Sequence, residues 1–132
     1  MIEADALALP LPDASLDLVT IAFGFRNLAD YGGGLAEMYR VLKPTGFAAI
    51  LEFSQPGNGA FGKLYQFYSR TILPLIGAAI SGSRDAYSYL PESIEKFPNA
   101  EQLAARMSDT GFHTVEFVRM TGGIVALHIG GK

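Results

Sequence analysis

The sequence predicts an α/β layer structure ending in an antiparallel hairpin, and three patterns carry that prediction. Two short runs, Leu16 to Phe23 and Phe47 to Phe53, are apolar on both faces. Between them lies an apolar stripe with helical spacing, and beyond them the carboxyl-terminal stretch alternates on either side of Gly122-Gly123. At 132 residues, 49% hydrophobic and 17% charged, the chain is one domain's worth and buries a single core.

The first run, LDLVTIAF, is rich in Val, Ile and Thr and bounded by Asp13, Ser15 and Gly24. It reads as a strand buried on both sides, the mark of a parallel sheet with helices above and below. Leu35, Met38, Tyr39 and Leu42 then stand at i, i+3, i+4 and i+7, one face of a helix. Asp30 is its expected N-cap, Gly32 to Gly34 weaken its first turn, and Pro44 with Gly46 stops it. The second run, FAAILEF, is a second buried strand, so Leu16 to Phe53 is a strand-helix-strand unit with a parallel crossover. A loop from Ser54 to Gly62 leads into an apolar-aromatic stretch, Lys63 to Ile80, interrupted by Pro74. Tyr87, Leu90, Ile94 and Phe97 suggest a short helix broken around Pro91. A clearer helix covers Ala100 to Thr110, capped by Asn99, with Leu103 and Met107 on one face and Gly111 closing it. Val115, Phe117 and Arg119 alternate onto one face, and Gly122-Gly123 turns the chain into Ile124 to Ile129.

Composition excludes several function classes. Ten Lys+Arg against thirteen Asp+Glu give a net charge of −3, the wrong sign for a nucleic-acid surface. The absence of Cys removes disulfide scaffolds, thiolate metal sites and thiol nucleophiles. No apolar run reaches the roughly 18 residues of a membrane helix, and Met1 to Asp5 carry neither the basic end nor the apolar stretch of a signal peptide. A soluble, intracellular, cytoplasmic domain is expected.

Gly57, Gly59 and Gly62 spell G-x-G-x-x-G, but Ser54, Gln55 and Pro56 separate the first glycine from the strand. A dinucleotide fingerprint needs that turn at the strand's end, and no second strand leads to Asp85, so a loop is the better reading. His113 and His128 have no ligand partner at metal spacing and read as structural; no metal is expected. Phe61, Tyr65, Phe67 and Tyr68 fit core packing best; an entrance for a long apolar ligand, or a membrane contact beside Lys63 and Arg70, stays open. The strongest candidate is Phe23-Gly24-Phe25-Arg26-Asn27. Ligands of open α/β sheets bind beyond the carboxyl ends of strands, and an arginine emerges there. A surface arginine paired to a carboxylate is the competing reading.

These strings also carry a resemblance. DALALPLPDASLD, TIAFGFRN, MYRVLKPTG, LEFSQP, DAYSYLPESI, GFHTV and GGIVALHIG occur in the order found in the ubiquinone/menaquinone biosynthesis C-methyltransferases, which the chain resembles along essentially its whole length. F-G-x-R-N and Y-x-Y-L-x-E-S-I are specific to that family, whereas L-K-P-x-G is common to many class I methyltransferases.

The resemblance implies a class I, Rossmann-like methyltransferase fold, truncated at the N-terminus. It implies S-adenosylmethionine as methyl donor and a ring carbon of a polyprenylated quinol as acceptor. Asp5 and Ala6 match the pair that holds the adenine. Ala22 matches a further cofactor position, often Ser in the family, so a hydroxyl contact is absent. Arg26 and Asn27 match residues on the substrate side and are the implied catalytic pair. Phe25, Tyr87 and Tyr89 are the implied substrate contacts. The family's glycine-rich first loop precedes everything present, so these residues correspond to the carboxyl-terminal part of one domain. Pairing with a missing N-terminal half, self-association along the Leu16 to Phe23 strand, and peripheral membrane contact are the expected partnerships. The alternative is a non-catalytic binding or assembly module that keeps the rear of the fold.

Overall fold

The computed structural model describes residues 3–55, 94 and 96–132. Strand β1 (Leu16–Ala22), helix α1 (Tyr31–Val41), strand β2 (Leu42–Phe53), helix α2 (Ala100–Thr110) and strands β3 (His113–Met120) and β4 (Val125–Gly131) follow in chain order. The sheet runs β1-β2-β4-β3: β1 and β2 are parallel, and β4 is antiparallel to both β2 and β3. The predicted parallel unit and terminal hairpin are both present, with β4 inserted between β2 and β3.

Local chemistry accounts for the elements. Asn99 and Gln102 form a reciprocal capping box at 2.9 and 3.0 Å, and Gly111 closes α2 at φ 118°. Asp30 stands at the N-cap of α1, but its side chain makes no capping bond, contrary to expectation. α1 also stops before Pro44: Leu42 is already extended, and β2 begins there. Pro44 and Gly46 therefore lie inside β2, where the register with β1 jumps from Leu16↔Leu42 to Leu18↔Phe47. Such an irregularity tolerates the missing proline donor. A Cβ on Gly46 would lie 2.9 Å from Leu42 Cδ2 and 3.0 Å from the Leu16 carbonyl oxygen, so only glycine fits the close approach to β1.

Both helices lie against one sheet face, closing a core of Leu35, Met38, Leu42, Ala48, Ile50, Leu103, Met107 and Phe112. The expectation that β1 and β2 are buried on both sides is corrected here. Leu18 and Phe47 are 56% and 51% exposed, with Val118 and Ile129 also exposed on the same face. That face lies opposite α1 and α2, so the two strands bury only their helix-facing residues. Among the described residues, no helix is long and apolar enough to cross a membrane.

His128 points into the core from β4. Its Nε2 bonds the Ala100 carbonyl oxygen at 2.8 Å, its ring stacks on Phe117 at 5.3 Å, and Nδ1 has no partner among the described residues. Burial, the leading cause, pushes its pKa below the ordinary 6.5. The folded chain therefore prefers neutral His128, and its stability is complete above pH 6.5 and lost as the pH falls below it. The stability gap between the wild type and His128→Gln is expected to shrink on acidification, by at most about 1.4 kcal/mol per pH unit. Denaturation midpoints measured between pH 8 and pH 5, as a range of about three units, check this; a parallel pair of curves would refute it.

Candidate functional site

The carboxyl ends of the two parallel strands carry a buried, hydrogen-bonded charged cluster built on Arg26 and Glu52. After β1, Phe23 takes φ 55°, a conformation costly for an aromatic residue. Its N–H donates to the Leu51 carbonyl at 2.9 Å, and its own carbonyl accepts from Arg26 Nη1 at 2.7 Å. The left-handed twist thus ends β1 and brings its last carbonyl onto the guanidinium. Residues Phe25–Asn27 make one tight helical turn, which places Arg26 back over the end of β2.

Glu52, near the end of β2, meets it there. Ala48, Ile50 and Glu52 share the helix-facing side of β2, and Glu52 is 1% exposed. Its Oε1 accepts from Arg26 Nη1 at 2.8 Å and from the Phe53 N–H at 2.8 Å, while Oε2 accepts from the Arg26 N–H at 3.2 Å. The Arg26 side chain is 9% exposed in this ion pair. The guanidinium carbon lies 5.2 Å from the centre of the Phe53 ring, which itself meets the Phe23 ring at 4.9 Å. Tyr31, the first residue of α1, donates its hydroxyl to the Arg26 carbonyl at 3.1 Å. The end of β1, the end of β2 and the start of α1 therefore fix one turn.

Phe25, an implied substrate contact, lies in the core of this structure. Its ring is fully buried, 5.9 Å from Tyr31 and 6.2 Å from Phe97, so it anchors the turn in the core. Asn27 is exposed at the end of the same turn, and Ala22 is exposed at the end of β1. Tyr87 and Tyr89 lie outside the described residues, as do Gly57 to Gly62 and the Phe61 to Tyr68 aromatics.

Asp5 and Ala6 belong to a small turn in which the Asp5 carboxylate accepts the Leu7 N–H at 2.9 Å. Gly34 joins this turn to the Arg26 turn: a Cβ there would lie 2.5 Å from Leu28, 3.4 Å from Phe25 and 3.8 Å from Leu7. Glycine at this point of α1 lets both turns converge on one helix.

Sequence reasoning missed a second anchor, the Arg40–Glu37 pair. Arg40 donates to Glu37 Oε1 and Oε2 at 2.7 and 2.9 Å, and to the Leu9 and Leu11 carbonyls at 3.1 and 2.9 Å. Glu37 in turn accepts the Leu9 N–H at 2.6 Å, and the Arg40 guanidinium holds its carboxyl below the usual carboxylate range. This bidentate pair staples the proline-rich segment after Asp5 onto α1. The i, i+3 spacing of Glu37 and Arg40 was the available signal.

The family model described as the ubiE/COQ5 methyltransferase family matches residues 1–132. The chain belongs to that family. A demethylmenaquinone methyltransferase of Thermus thermophilus is 53% identical over 131 residues, covering 99% of this chain and 59% of the relative. A ubiquinone/menaquinone biosynthesis C-methyltransferase of Pseudoalteromonas translucida is 47% identical over 131 residues, covering 99% of this chain and 52% of the relative. The chain thus spans between half and three-fifths of the length of these curated relatives. Among solved structures, a SAM-dependent methyltransferase of Thermotoga maritima superposes with TM-score 0.70 at 19% identity, covering 99% of this chain and 63% of that one. Another from Archaeoglobus fulgidus gives 0.66 at 16% identity, covering 99% and 66%. The shared fold is the class I methyltransferase sheet. In this member of the ubiE/COQ5 family, a parallel crossover unit and the terminal hairpin are the described parts.

Proposed function

We propose that residues 1–132 form the acceptor side of a quinone-biosynthesis C-methyltransferase. The donor would be S-adenosylmethionine and the acceptor a polyprenylated quinol. The observation that carries this reading is the Arg26 turn, held at the carboxyl ends of two parallel strands in a chain of this family. The alternative of a non-catalytic module has no specific observation in its favour.

The donor, when bound, supplies an electrophilic methyl group on a sulfonium. Asp5 and Ala6 suit an adenine, because the Asp5 turn offers a carboxylate on an exposed edge beside α1. On the acceptor, a phenol that loses its proton makes the neighbouring ring carbon electron-rich, and a hydrogen-bond donor aimed at the oxygen favours that ionised form. Arg26 would supply this donor. Glu52 offsets its charge, so the guanidinium acts through directed N–H bonds more than as a bare cation. Phe23 and Phe53 would shield the spot from water, which strengthens such a bond. Self-association and peripheral membrane contact belong to the same proposal; among the described residues β1 pairs with β2 alone, beside the exposed Leu18 and Phe47.

The test is a chimera in which residues 1–132 replace the matching segment of the Thermus thermophilus relative. It is expected to transfer labelled methyl groups to demethylmenaquinol or a 2-polyprenyl-benzoquinol. A chimera that folds and binds the donor, yet methylates neither, would overturn the reading.

A further inference from the structure

The family resemblance assigns nothing to Glu52. We propose that Glu52 is the positioning residue for Arg26, and so for the acceptor side of the reaction; this rests on the function proposed above. Three facts support it. A carboxylate that is 1% exposed sits at a core position of β2, where burial demands full satisfaction. Its two oxygens accept from the backbone and the side chain of the same arginine, Arg26, at 3.2 and 2.8 Å. Its third donor, the Phe53 N–H at 2.8 Å, ties the carboxylate to the end of β2.

Gripping one residue at both backbone and guanidinium fixes the turn and the side-chain rotamer together. Both oxygens are engaged by N–H donors, so the contacts of Glu52 serve to hold Arg26 in place. The arrangement also explains why the Phe23 carbonyl is bent onto Nη1: carbonyl and carboxylate clamp that nitrogen from two sides. A guanidinium clamped this way is fixed before a ligand arrives, the condition for acting on a bound oxygen without reorganisation.

Glu52→Gln keeps the side chain's shape but puts an N–H₂ group where a second acceptor was, against either the Arg26 or the Phe53 N–H. Two readouts test the proposal. In the 132-residue chain labelled with ¹⁵N, the Arg26 guanidinium N–H signals, identified by their loss in Arg26→Lys, are expected to be resolved and slow to exchange. In Glu52→Gln they are expected to collapse to an averaged, fast-exchanging signal, while the β2–β4 amide signals persist. Unchanged Arg26 signals would overturn the proposal. In the chimera, Glu52→Gln is expected to lower kcat about 100-fold, as a misplaced catalytic group does, with the KM for the methyl donor unchanged. Adding Arg26→Ala should then cost nothing further, because the two residues act as one unit. A full kcat, or additive losses, would overturn the positioning role. An unsubstituted chimera that fails to methylate a quinol counts against the proposed function instead, and the guanidinium signals then decide the role of Glu52.

Discussion

In the chimera, Arg26→Ala is expected to lower turnover by about 100-fold or more while leaving affinity for the methyl donor unchanged. The split follows from where Arg26 stands. It lies just past the carboxyl end of β1, and the residues that match the adenine pair lie on a separate turn near Gly34. A bond that strengthens as the acceptor oxygen gains charge is made mainly on the way to the transition state, and its loss appears in kcat. Arg26→Lys should recover only part of the activity. An ammonium lacks the planar fork with which the guanidinium bonds both Glu52 and the Phe23 carbonyl. Turnover and donor affinity measured on the same variants check this, and equal losses in both would refute the acceptor-side role.

The same substitution is expected to destabilise the isolated chain by about 3 kcal/mol, at the low end of what breaking a buried ion pair costs. Removing the guanidinium leaves the Glu52 carboxylate buried with only its two backbone donors, from Arg26 and Phe53. Those two bonds keep the cost from rising further. Replacing both partners, Arg26→Met with Glu52→Leu, should restore most of the loss, since no charge is then left unpaired. Denaturant titration of the single and double variants separates the mechanisms. If the double variant is as unstable as Arg26→Ala, lost packing over Phe53 is responsible and the charge argument fails.

Much of the fold was legible because local and global signals agree in it. Asn99, Gln102 and Gly111 spell the ends of α2 by themselves, and the alternation around Gly122-Gly123 yields the hairpin. Pro44 lies three residues past Val41 and marks the end of α1, but that Pro44 and Gly46 also serve an irregularity inside β2 depends on the pairing with β1 and was not legible. Leu16 to Phe23 looked doubly buried because apolar residues fall on both faces; which face is covered depends on packing partners, and no single strand records them. Of the site, the Phe23 to Asn27 turn stood out through its arginine. Glu52 did not, although it breaks the apolar phase of Ala48 and Ile50 on one face of a strand. A charge at a core-phase position needs a partner, and Arg26 was the nearest unmatched cation in the adjoining loop. Adjacent side chains diverge in a three-residue helical turn, so the Phe25 ring enters the core while Arg26 turns to Glu52.

The place of β4 in the sheet sets the order in which the molecule can be made. Phe47 to Phe53 on β2 pair with Gly131 to Val125 on β4, so the middle of the sheet joins segments distant along the chain. As the polypeptide leaves the ribosome, β1, α1 and β2 can meet through local contacts, but β2 keeps one ladder unpaired until β4 has been synthesised. The Lys132 N–H then bonds the Gly46 carbonyl at 2.9 Å and its ammonium reaches the Tyr39 carbonyl at 2.7 Å, latching the late strand onto the early unit. Closure over such separations is slow, and the waiting edge of β2 is open meanwhile to mispairing with nascent neighbours.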